Sequence, residues 1–556
     1  MIIEEKKFNI EVANEISNTW YGKNWPVVYI LSDKKEAYIG ETTSITNRMK
    51  QHLKIEERKN LTTINIISHD KFNKSAILDV ESKLIEYMSA DNQFKILNNN
   101  SGMKDHNYYE KDKYSKLFST IWEELRRKKI VKQQLDILIN SEIFKYTPYK
   151  RLTEEQYEVV YNIVLDLLMM IQSNQTSVTI VNGEAGTGKT VLAMYLMKLF
   201  ADNKVIEFLS EEDDALLTQF KQAQEQIKNF KIGLVVPMTS LRGTLKKVMS
   251  KIEGLNPNMI IGPNDVIKDD YDLLIVDESH RLYRRVGITG YGSYDTVNRT
   301  LNFDKEATQL DWITKCSKHQ IFFYDRLQSV RPSDIREEDF LKLKSLPNFG
   351  KYDIKSQLRV QGGNDYLKYI KEIFSENPPK EKIIFENYEF KLYSSIHDMK
   401  KDIIERDSEV GLSRLVAGYA WEWTTKGFTY QEAIKNNICD LIIENERFIW
   451  NTTNSGWVIS DNAINEVGSI HTIQGYDLNY AGVIIGRDIY YDLNTKSIEI
   501  KKENYFDKKG KVSLESYNEL KKYIINIYIV LLSRAIKGTY VYICDDNLRN
   551  YIKNYI

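Results

Sequence analysis

The sequence is poor in the features that would place it in a special class. Its 556 residues include three cysteines, Cys316, Cys439 and Cys544, which lie far apart and form no C-x-x-C pair. This spacing argues against a disulfide framework and against a zinc site built from cysteines. Lysine and arginine total 77, aspartate and glutamate total 78, and the net charge is −1. With no excess of one sign, any surface for nucleic acid has to be local.

Long apolar runs are scarce as well. The longest, such as residues 523–532, are too short to cross a bilayer, and the residues after Met1 lack the pattern of a signal peptide. With so few cysteines, we expect a cytoplasmic protein with no membrane partner. The length predicts three or four domains and leaves the oligomeric state open.

The most informative segment runs from Gly183 to Thr190 and satisfies the pattern G-x-x-x-x-G-K-[ST]. A buried-strand pattern over residues 178–181 precedes it, and a helical pattern over residues 191–196 follows. This is the context of a phosphate-binding loop, in which glycines let backbone N–H groups converge on phosphate oxygens. Lys189 is then placed to reach the β- and γ-phosphates, and the Thr190 hydroxyl to bind Mg²⁺. The glycines concerned are Gly183, Gly186 and Gly188. The sequence therefore predicts binding of ATP or a similar nucleotide.

Two carboxylates extend this prediction. An apolar strand over residues 272–276 ends in Asp277 and Glu278. In a P-loop protein the first carboxylate at such a strand end holds Mg²⁺, and the second can polarise the attacking water. Further upstream, Gln156 either reads adenine through paired hydrogen bonds or completes a helix cap with Thr153; both alternatives stay open.

The order of elements predicts the fold class. Beyond residue 152, short apolar strands alternate with longer helices, a pattern typical of parallel sheets with helices on both faces. We expect an α/β protein with a small α+β domain at residues 22–104, a helical connector at 105–150 with little core of its own, and two lobes at 151–350 and 351–556. The strands predicted in the lobes are residues 232–236, 273–276, 321–324, 415–418, 483–485 and 540–543.

From about residue 151 to the C-terminus, the chain resembles superfamily 1 helicases, and most closely the helicase-like DUF2075 family. The resemblance rests on motifs in the expected order, at residues 235–241, 324–328, 356–359, 471–477 and 531–535. It implies two RecA-like P-loop lobes that hydrolyse ATP. Gln328 would sense the γ-phosphate, Arg359 would approach the nucleotide from the second lobe, Gly475 would lie near it, and Arg534 would be the arginine finger.

A second group of residues lies near the N-terminus. Strand patterns at residues 27–31 and 37–39 carry Tyr29 and Tyr38, and helical patterns follow at 44–53 and 78–88. Arg48 and His52 share one face of the first helix, because they are four residues apart. Glu81 lies in the second helix, and Asn98 comes after it. These residues also fit an ordinary tyrosine-lined α+β fold.

Over residues 25–102 the pattern resembles the GIY-YIG nuclease domain. Tyr38, Ile39 and Gly40 keep the second half of the signature, whereas Tyr29 alone remains of the first half. The resemblance implies that Tyr29 is the general base or its relay, and that Tyr38 orients it. Arg48 and His52 would face the scissile phosphate, Glu81 would hold one divalent metal, and Asn98 (or Asn99 or Asn100 in its place) would support the site.

Basic and aromatic clusters offer candidate contacts to nucleic acid. Each cluster can equally be a solvated face or part of a core. The candidates are Arg242, Lys246, Lys247, Lys251, Arg281, Arg284, Arg285, Tyr419, Trp421 and Trp423.

The sequence thus predicts a nucleic-acid-processing enzyme that joins a helicase-like ATPase to a metal-dependent endonuclease. We expect ATP and Mg²⁺ as cofactors, with Mn²⁺ as an alternative in the nuclease, and DNA ahead of RNA as partner. Genome defence, mobile elements or repair are the settings that the resemblance suggests. Two alternatives remain: an ATP-gated switch that binds nucleic acid without translocating, and a nuclease restrained by ATP.

Overall fold

The chain folds into two compact units. The computed structural model describes residues 1–98, 108–201, 214–252, 254–329, 331–357, 359–453, 456–473, 476–508, 510–511 and 516–556. The first unit comprises residues 1–175, 190–234 and 244–260, and the second comprises residues 176–189, 235–243 and 261–556. The four segments expected from the sequence are finer than this division, and their limits stay predictions.

A mostly antiparallel sheet organises the N-terminal part of the first unit. Its described strands lie side by side in the order Ile2–Lys7, Thr63–Ser68, Val27–Ser32, Glu36–Thr42 and Lys95–Ile96. All neighbours are antiparallel except the last pair. The central strand is buried along its whole length. Asp33 closes the hairpin that follows, because its Oδ1 accepts hydrogen bonds from the N–H groups of Lys35 and Glu36.

Helix Lys74–Asp91 packs against strand Glu36–Thr42. It begins at Asn73, whose side chain accepts a hydrogen bond from the Ala76 N–H, and ends at Asn92, which has a φ of 56°. Asparagine is favoured at both kinds of helix end. The strands and helices predicted here are confirmed. The other described helices of this unit are Ile10–Ile16, Ile45–His52, Lys111–Arg127, Leu135–Ile139, Glu142–Tyr146, Glu154–Gln172 and Asp214–Ile227.

The connector, predicted to have little core of its own, shares a core with helix Lys74–Asp91. The rings of Phe118, Trp122 and Phe144 all pack edge-on against Tyr87, at centroid distances of 4.6–5.8 Å. Trp122 is fully buried, and its indole N–H donates to the Gln133 carbonyl at 3.0 Å. The polar residues that suggested a solvated segment lie on the outer face of an amphipathic helix, whereas its aromatic residues lie against helix Lys74–Asp91.

Two largely parallel sheets form the second unit. In the first sheet, the neighbouring strands Phe349–Ile354, Ser177–Gly183, Ser317–Tyr324 and Tyr271–Val276 are all parallel. Their carboxyl ends therefore meet at one edge, which is where ligands bind in such sheets. The chain passes between the units within four elements: Lys189–Ala201, Ile232–Val235, Thr239–Met249 and Ile260–Ile261.

The second sheet is parallel except at one margin, where its last two strands are antiparallel. The interior strand Leu478–Ile485 is buried throughout, as expected of a strand covered on both faces. In spatial order the described strands are Glu389–Tyr393, Ala535–Ile543, Leu478–Ile485, Ser413–Ala417, Glu466–Ser469, Glu446–Trp450 and Leu441–Ile443.

Helices alternate with these strands, so the predicted α/β class with parallel sheets is confirmed. A hairpin of strands Ile489–Asp492 and Ser497–Ile500 is appended. None of the described helices in either unit combines the length and the apolar character needed to cross a bilayer. The described helices of the second unit are Tyr291–Thr300, Gln309–Lys315, Glu337–Leu343, Gly363–Ile373, Ile396–Val410, Tyr430–Lys435, Ile470–Ile473, Tyr517–Leu532 and Asp546–Ile552.

Replacing Trp122 with alanine tests the packing of the connector. Truncating a buried tryptophan costs about 3–5 kcal/mol, because it leaves a cavity. We expect amide hydrogen exchange in helices Lys74–Asp91 and Lys111–Arg127 to speed up by about a hundredfold or more. Lys116→Ala, an exposed change on the same helix, should leave the exchange rates as they are. Equal rates in Trp122→Ala and the wild type would contradict this packing.

Candidate functional site

The phosphate-binding loop connects strand Ser177–Gly183 to the helix that begins at Lys189. Gly186 and Gly188 have φ values of 86° and 84°, in the left-handed region that favours glycine. The Lys189 ammonium donates to the carbonyl oxygens of Gly183 at 2.6 Å and Glu184 at 2.8 Å, and it lies 3.5 Å from Asp325 Oδ2. Backbone carbonyls of the loop therefore hold the ammonium group of the loop's own lysine in place.

Two carboxylates follow the neighbouring strand Tyr271–Val276. Asp277 is fully buried, and Glu278 has a φ of 51°, which is rare outside glycine and typical of functional turns. Glu278 Oε2 lies 3.0 Å from His280 Nε2. Burial opposes ionisation of Glu278, but His280, Lys189 and the arginine Arg534 outweigh it and hold the pKa of that carboxyl well below its usual range. His280, which is fully buried, was missed by the sequence reasoning.

A line of hydrogen bonds joins this loop to the second sheet. Asp325 Oδ2 accepts from Gln328 Nε2 at 2.7 Å, and Gln328 Oε1 accepts from Arg534 Nη2 at 2.7 Å. Gln328 is 4% exposed and Arg534 is 1% exposed. Burial and the nearby Arg359 lower the pKa of Arg534 to about 10, which leaves it charged at neutral pH. We call Lys189, Asp325, Gln328 and Arg534 the interlobe relay.

Gln357 and Arg359 lie over the phosphate-binding loop. Gln357 Nε2 donates to the Ala185 carbonyl at 2.5 Å, and its Oε1 accepts from the Arg359 N–H at 2.7 Å. A Cβ atom added to Gly186 would lie 2.1 Å from Gln357 Oε1 and 2.8 Å from Arg359 Cβ, and the φ of 86° also favours glycine at this position. Arg359 also forms an ion pair with Asp477. Gln357 was not among the predicted site residues.

Three further residues were predicted to contact the nucleotide, and the structure describes two of them. Gln156 completes a capping box: its Oε1 accepts from the Thr153 N–H, and its own N–H donates to Thr153 Oγ1. Its contact with adenine stays a prediction. Thr190 is the second residue of helix Lys189–Ala201. Gly475 lies outside the described residues.

The N-terminal group of residues surrounds Tyr29 at the centre of the mostly antiparallel N-terminal sheet. Tyr29 and His52 are both buried, and Tyr29 Oη lies 2.7 Å from His52 Nε2. Arg48 Nε donates to the same hydroxyl at 3.3 Å. A Cβ atom on Gly40 would lie 2.3 Å from Tyr29 Oη, which is why the strand paired with Tyr29 needs a glycine there. The structure thus brings Tyr29, Arg48 and His52 together.

Tyr38 and Asn98 complete the wall of this site. Asn98 spans the backbone of Ile39: its Oδ1 accepts from the Ile39 N–H at 2.8 Å, and its Nδ2 donates to the Ile39 carbonyl at 2.7 Å. Asn98 therefore supports the strand that carries Tyr38. Arg58 stacks its guanidinium over the Tyr38 ring at 3.8 Å from the centroid. Asn99 and Asn100, the alternatives to Asn98, lie outside the described residues.

Two carboxylates mark where a metal could bind. Glu81 is 8% exposed, and burial together with the nearby Glu41 raises its pKa to about 8. Glu41 forms an ion pair with Lys74 through Oε1, whereas its buried Oε2 has no hydrogen-bond partner among the described residues. Oxygen ligands of this kind suit a hard divalent cation such as Mg²⁺. No group of three or more acidic, histidine or cysteine ligands occurs in the described parts of the chain.

Most of the candidate contacts to nucleic acid are occupied by protein partners. Arg281 pairs with Asp334 at 3.1 Å, and Arg285 pairs with Asp295 through two hydrogen bonds. Arg284 donates to the carbonyl oxygens at 332 and 334, and Arg242 donates to those at 236 and 237. The rings of Tyr419, Trp421 and Trp423 pack against Trp450. Exposed basic side chains remain at Lys246, Lys247 and Lys251.

Comparison with known families accounts for both sites. Residues 176–545 match the family described as Schlafen group 3, DNA/RNA helicase domain. The chain belongs to this Schlafen family. Residues 26–117 match the GIY-YIG catalytic domain, and this match reaches into helix Lys111–Arg127 of the predicted connector. A Schlafen-type helicase domain and a GIY-YIG domain together indicate a nucleic-acid-processing enzyme, with ATPase and endonuclease activity at the level of the families.

Individual relatives extend the comparison. The Schlafen-type chain is 28% identical over 400 residues to the uncharacterized protein YPL245W of Saccharomyces cerevisiae, covering 66% of this chain and 82% of the yeast protein. Two solved Pif1 helicases are also similar. One is described in DNA unwinding at forked double-stranded DNA (TM-score 0.26, 11% identity), and the other, from Bacteroides, is bound to ADP-AlF3 and single-stranded DNA (TM-score 0.24, 12% identity). Each match covers 70% of this chain and 92% of the Pif1 chain.

The burial of His52 makes its titration a test of the N-terminal site. Burial and the charges of Arg58 and Arg48 lower the pKa of His52 to about 3. The unfolded chain has a histidine pKa of about 6.5, so it binds the proton first as the pH falls. Stability that depends on a neutral His52 is therefore lost between about pH 6.5 and pH 3. In NMR titrations of the folded chain, we expect the His52 resonances, assigned with His52→Gln, to stay constant from pH 8 to pH 5. A midpoint near 6.5 would show that His52 is not held between the arginines.

Proposed function

We propose that this protein couples ATP hydrolysis by its helicase-type lobes to nucleic-acid cleavage by its GIY-YIG domain, with DNA preferred to RNA. The observation that carries the proposal is the interlobe relay, in which the P-loop lysine is connected to Arg534 through two buried side chains. Cleavage of a γ-phosphate requires positive charge from across a cleft, and an arginine from another lobe makes that charge depend on the lobes' arrangement. Such a connection suits an ATPase whose cycle moves a bound strand.

Within the ATPase, we assign a role to each predicted residue. Lys189 would exchange the carbonyls of Gly183 and Glu184 for nucleotide phosphates, with Gly186 and Gly188 keeping the backbone open to them. Glu278 would orient and polarise the attacking water as general base, because it follows Asp277 at the strand end and its carboxylate is ionised at neutral pH; its depressed pKa limits its strength as a base. The remaining roles are Mg²⁺ ligation by Thr190 and Asp277, γ-phosphate sensing by Gln328, charge neutralisation by Arg534, and nucleotide contacts from Gln156, Arg359 and Gly475.

Within the nuclease, Glu81 would hold the divalent metal. A cation there would also stabilise Glu41 Oε2, which is buried and has no hydrogen-bond partner among the described residues. The ion, Mg²⁺ or Mn²⁺, supplies positive charge at the non-bridging oxygens of the scissile phosphate. Tyr29 would be the general base or its relay. As the base it must first release its own hydroxyl proton to solvent, after which the phenolate can take a proton from the attacking water. Tyr38 would orient that water, while Arg48 and His52 bind around the phosphate. Asn98 keeps the Tyr38 strand in place through the Ile39 backbone.

A second candidate is an ATP-gated switch. It is favoured by the position of Gln357, whose side chain covers the phosphate-binding loop and has to move before a nucleotide can enter along that side. Measuring ATPase rates with and without single-stranded DNA separates the two functions. A translocating enzyme should be stimulated severalfold or more, whereas a switch should show little stimulation and no strand displacement. Comparing cleavage with and without ATP tests whether ATP restrains the nuclease.

The biological setting is a further part of the proposal. A helicase-type ATPase joined to a nuclease suits genome defence, mobile-element biology or DNA repair. The kinship with superfamily 1 and DUF2075 helicases, and a cytoplasmic location, likewise remain our proposals.

Two substitutions in the ATP site have different expected effects. Lys189→Ala should lower both nucleotide affinity and hydrolysis, the latter by about a thousandfold, because the phosphates lose their main cation. Glu278→Gln should lower hydrolysis by about 10²- to 10⁴-fold and leave nucleotide binding intact, because only the base is lost. Steady-state ATPase assays and fluorescent-nucleotide binding give the two readouts. If Glu278→Gln hydrolyses ATP at the wild-type rate, another group is the base.

Two substitutions in the nuclease site should abolish cutting and spare the ATPase. Glu81→Ala removes the metal ligand, and Gly40→Ala pushes Tyr29 away, because the new Cβ would lie 2.3 Å from its hydroxyl. We expect cleavage of labelled DNA in Mg²⁺ to fall by about a hundredfold or more in both. Gly292→Ala is the matched control, since a Cβ there meets nothing within 4 Å. Cutting by Glu81→Ala at the wild-type rate would refute the nuclease assignment.

A further inference from the structure

Arg58 contacts two residues of the nuclease site and belongs to neither half of the signature. It lies in the short 3₁₀ turn Glu56–Arg58, just beyond helix Ile45–His52. Its Nη1 contacts His52 Nδ1, and its guanidinium plane stacks on the Tyr38 ring. The two contacts hold the guanidinium in place. The face of the Tyr38 ring attracts the cation, and His52 Nδ1 accepts a hydrogen bond from one of its N–H groups.

This contact decides which nitrogen of His52 carries the proton. Arginine has only donors, so His52 Nδ1 must be the acceptor. A neutral imidazole with an acceptor at Nδ1 carries its hydrogen on Nε2. The ring is neutral near pH 7, since burial and the two arginines lower its pKa to about 3. His52 Nε2 therefore donates to Tyr29 Oη over the 2.7 Å that separate them.

The tautomer of His52 determines the hydrogen bonds of the Tyr29 hydroxyl. Its oxygen accepts one hydrogen bond from His52 Nε2 and a second from Arg48 Nε. A phenol oxygen offers two lone pairs, and both are used. The hydroxyl hydrogen of Tyr29 therefore points at neither His52 nor Arg48. If Tyr29 loses that hydrogen, two donors are already aimed at the resulting phenolate.

We propose that Arg58 is a positioning residue of the nuclease: it locks His52 in the Nε2–H tautomer, so that His52 serves Tyr29 as a hydrogen-bond donor and does not act as the base that takes its proton. This inference rests on the proposed nuclease function. It assigns an acceptor role to Nδ1 and a donor role to Nε2 of His52. The proposed metal ligand is still Glu81. Arg58 acts through His52 and does not itself contact the scissile phosphate.

The tautomer can be measured directly on the full chain. Two-bond ¹H–¹⁵N correlation spectra distinguish Nε2–H from Nδ1–H imidazole, with His52 assigned by His52→Gln. We expect the wild type at pH 7 to contain only the Nε2–H form, and Arg58→Ala to contain a mixture. An Nδ1–H form in the wild type, or an unchanged tautomer in Arg58→Ala, would overturn the proposal. This readout does not require cleavage, so it separates failure of the inference from failure of the proposed nuclease function.

Cleavage assays test the consequence. Arg58→Ala should lower kcat about 10- to 100-fold with KM nearly unchanged, and millimolar guanidinium should restore part of the lost rate. Arg126→Ala, which removes a partly exposed arginine paired with Glu123 in the same unit, is the matched control and should cut at the wild-type rate. Binding of labelled DNA is compared in Glu81→Ala with and without Arg58→Ala. A large loss of affinity there would mean that Arg58 contacts the phosphates directly, and would overturn the positioning role.

Discussion

A buried ammonium group needs oxygen atoms around it, and much of the second unit is organised by how Lys189 obtains them. Two are carbonyls of its own loop, and the third is Asp325, which follows the adjacent parallel strand. Asp325 in turn needs a donor, and Gln328 supplies one. Because an amide has both a donor and an acceptor, Gln328 can also accept a hydrogen bond from Arg534, which directly precedes strand Ala535–Ile543 of the second sheet. Each side chain of the interlobe relay is a partner of the next, so the phosphate-binding loop is connected to the second sheet through buried side chains.

The nuclease site also depends on buried groups that need partners, but here the buried charges are carboxylates. His52 is buried between Arg58 and Arg48, whose charges keep it neutral. Arg58 contacts its Nδ1 directly, and Arg48 donates to the Tyr29 hydroxyl that lies against its Nε2. Glu81 is buried beside another carboxylate, an arrangement that is costly until a cation enters. One site therefore contains positive charges that already have protein partners, and the other contains buried carboxylates that a cation would stabilise. Both are prepared for ligands of the charge that the proposed reactions require.

Local patterns predicted the strands, the main helices and the α/β class well, because they depend on apolar periodicity and on glycine positions that are visible over a few residues. The packing of the connector against helix Lys74–Asp91 was not predicted. Its polar composition hid the stripe of Phe118 and Trp122, which becomes meaningful only against Tyr87 on another helix. His280, Gln357 and Arg58 were not found either. His280 directly follows the acidic pair and could have been suspected, whereas Gln357 and Arg58 act through partners that are distant in sequence or on another strand.

By itself, the sequence determined the phosphate-binding loop, the acidic strand end and the spacing of Arg48 and His52. Each is a local matter, in which backbone freedom or helical periodicity sets what neighbouring residues can do. The tertiary structure decided which groups face one another: Gln328 with Arg534 across two sheets, Gln357 over Gly186, and Tyr29 close enough to strand Glu36–Thr42 that only glycine fits at position 40. These contacts depend on strand order and on the burial of charge, which no short stretch of sequence encodes.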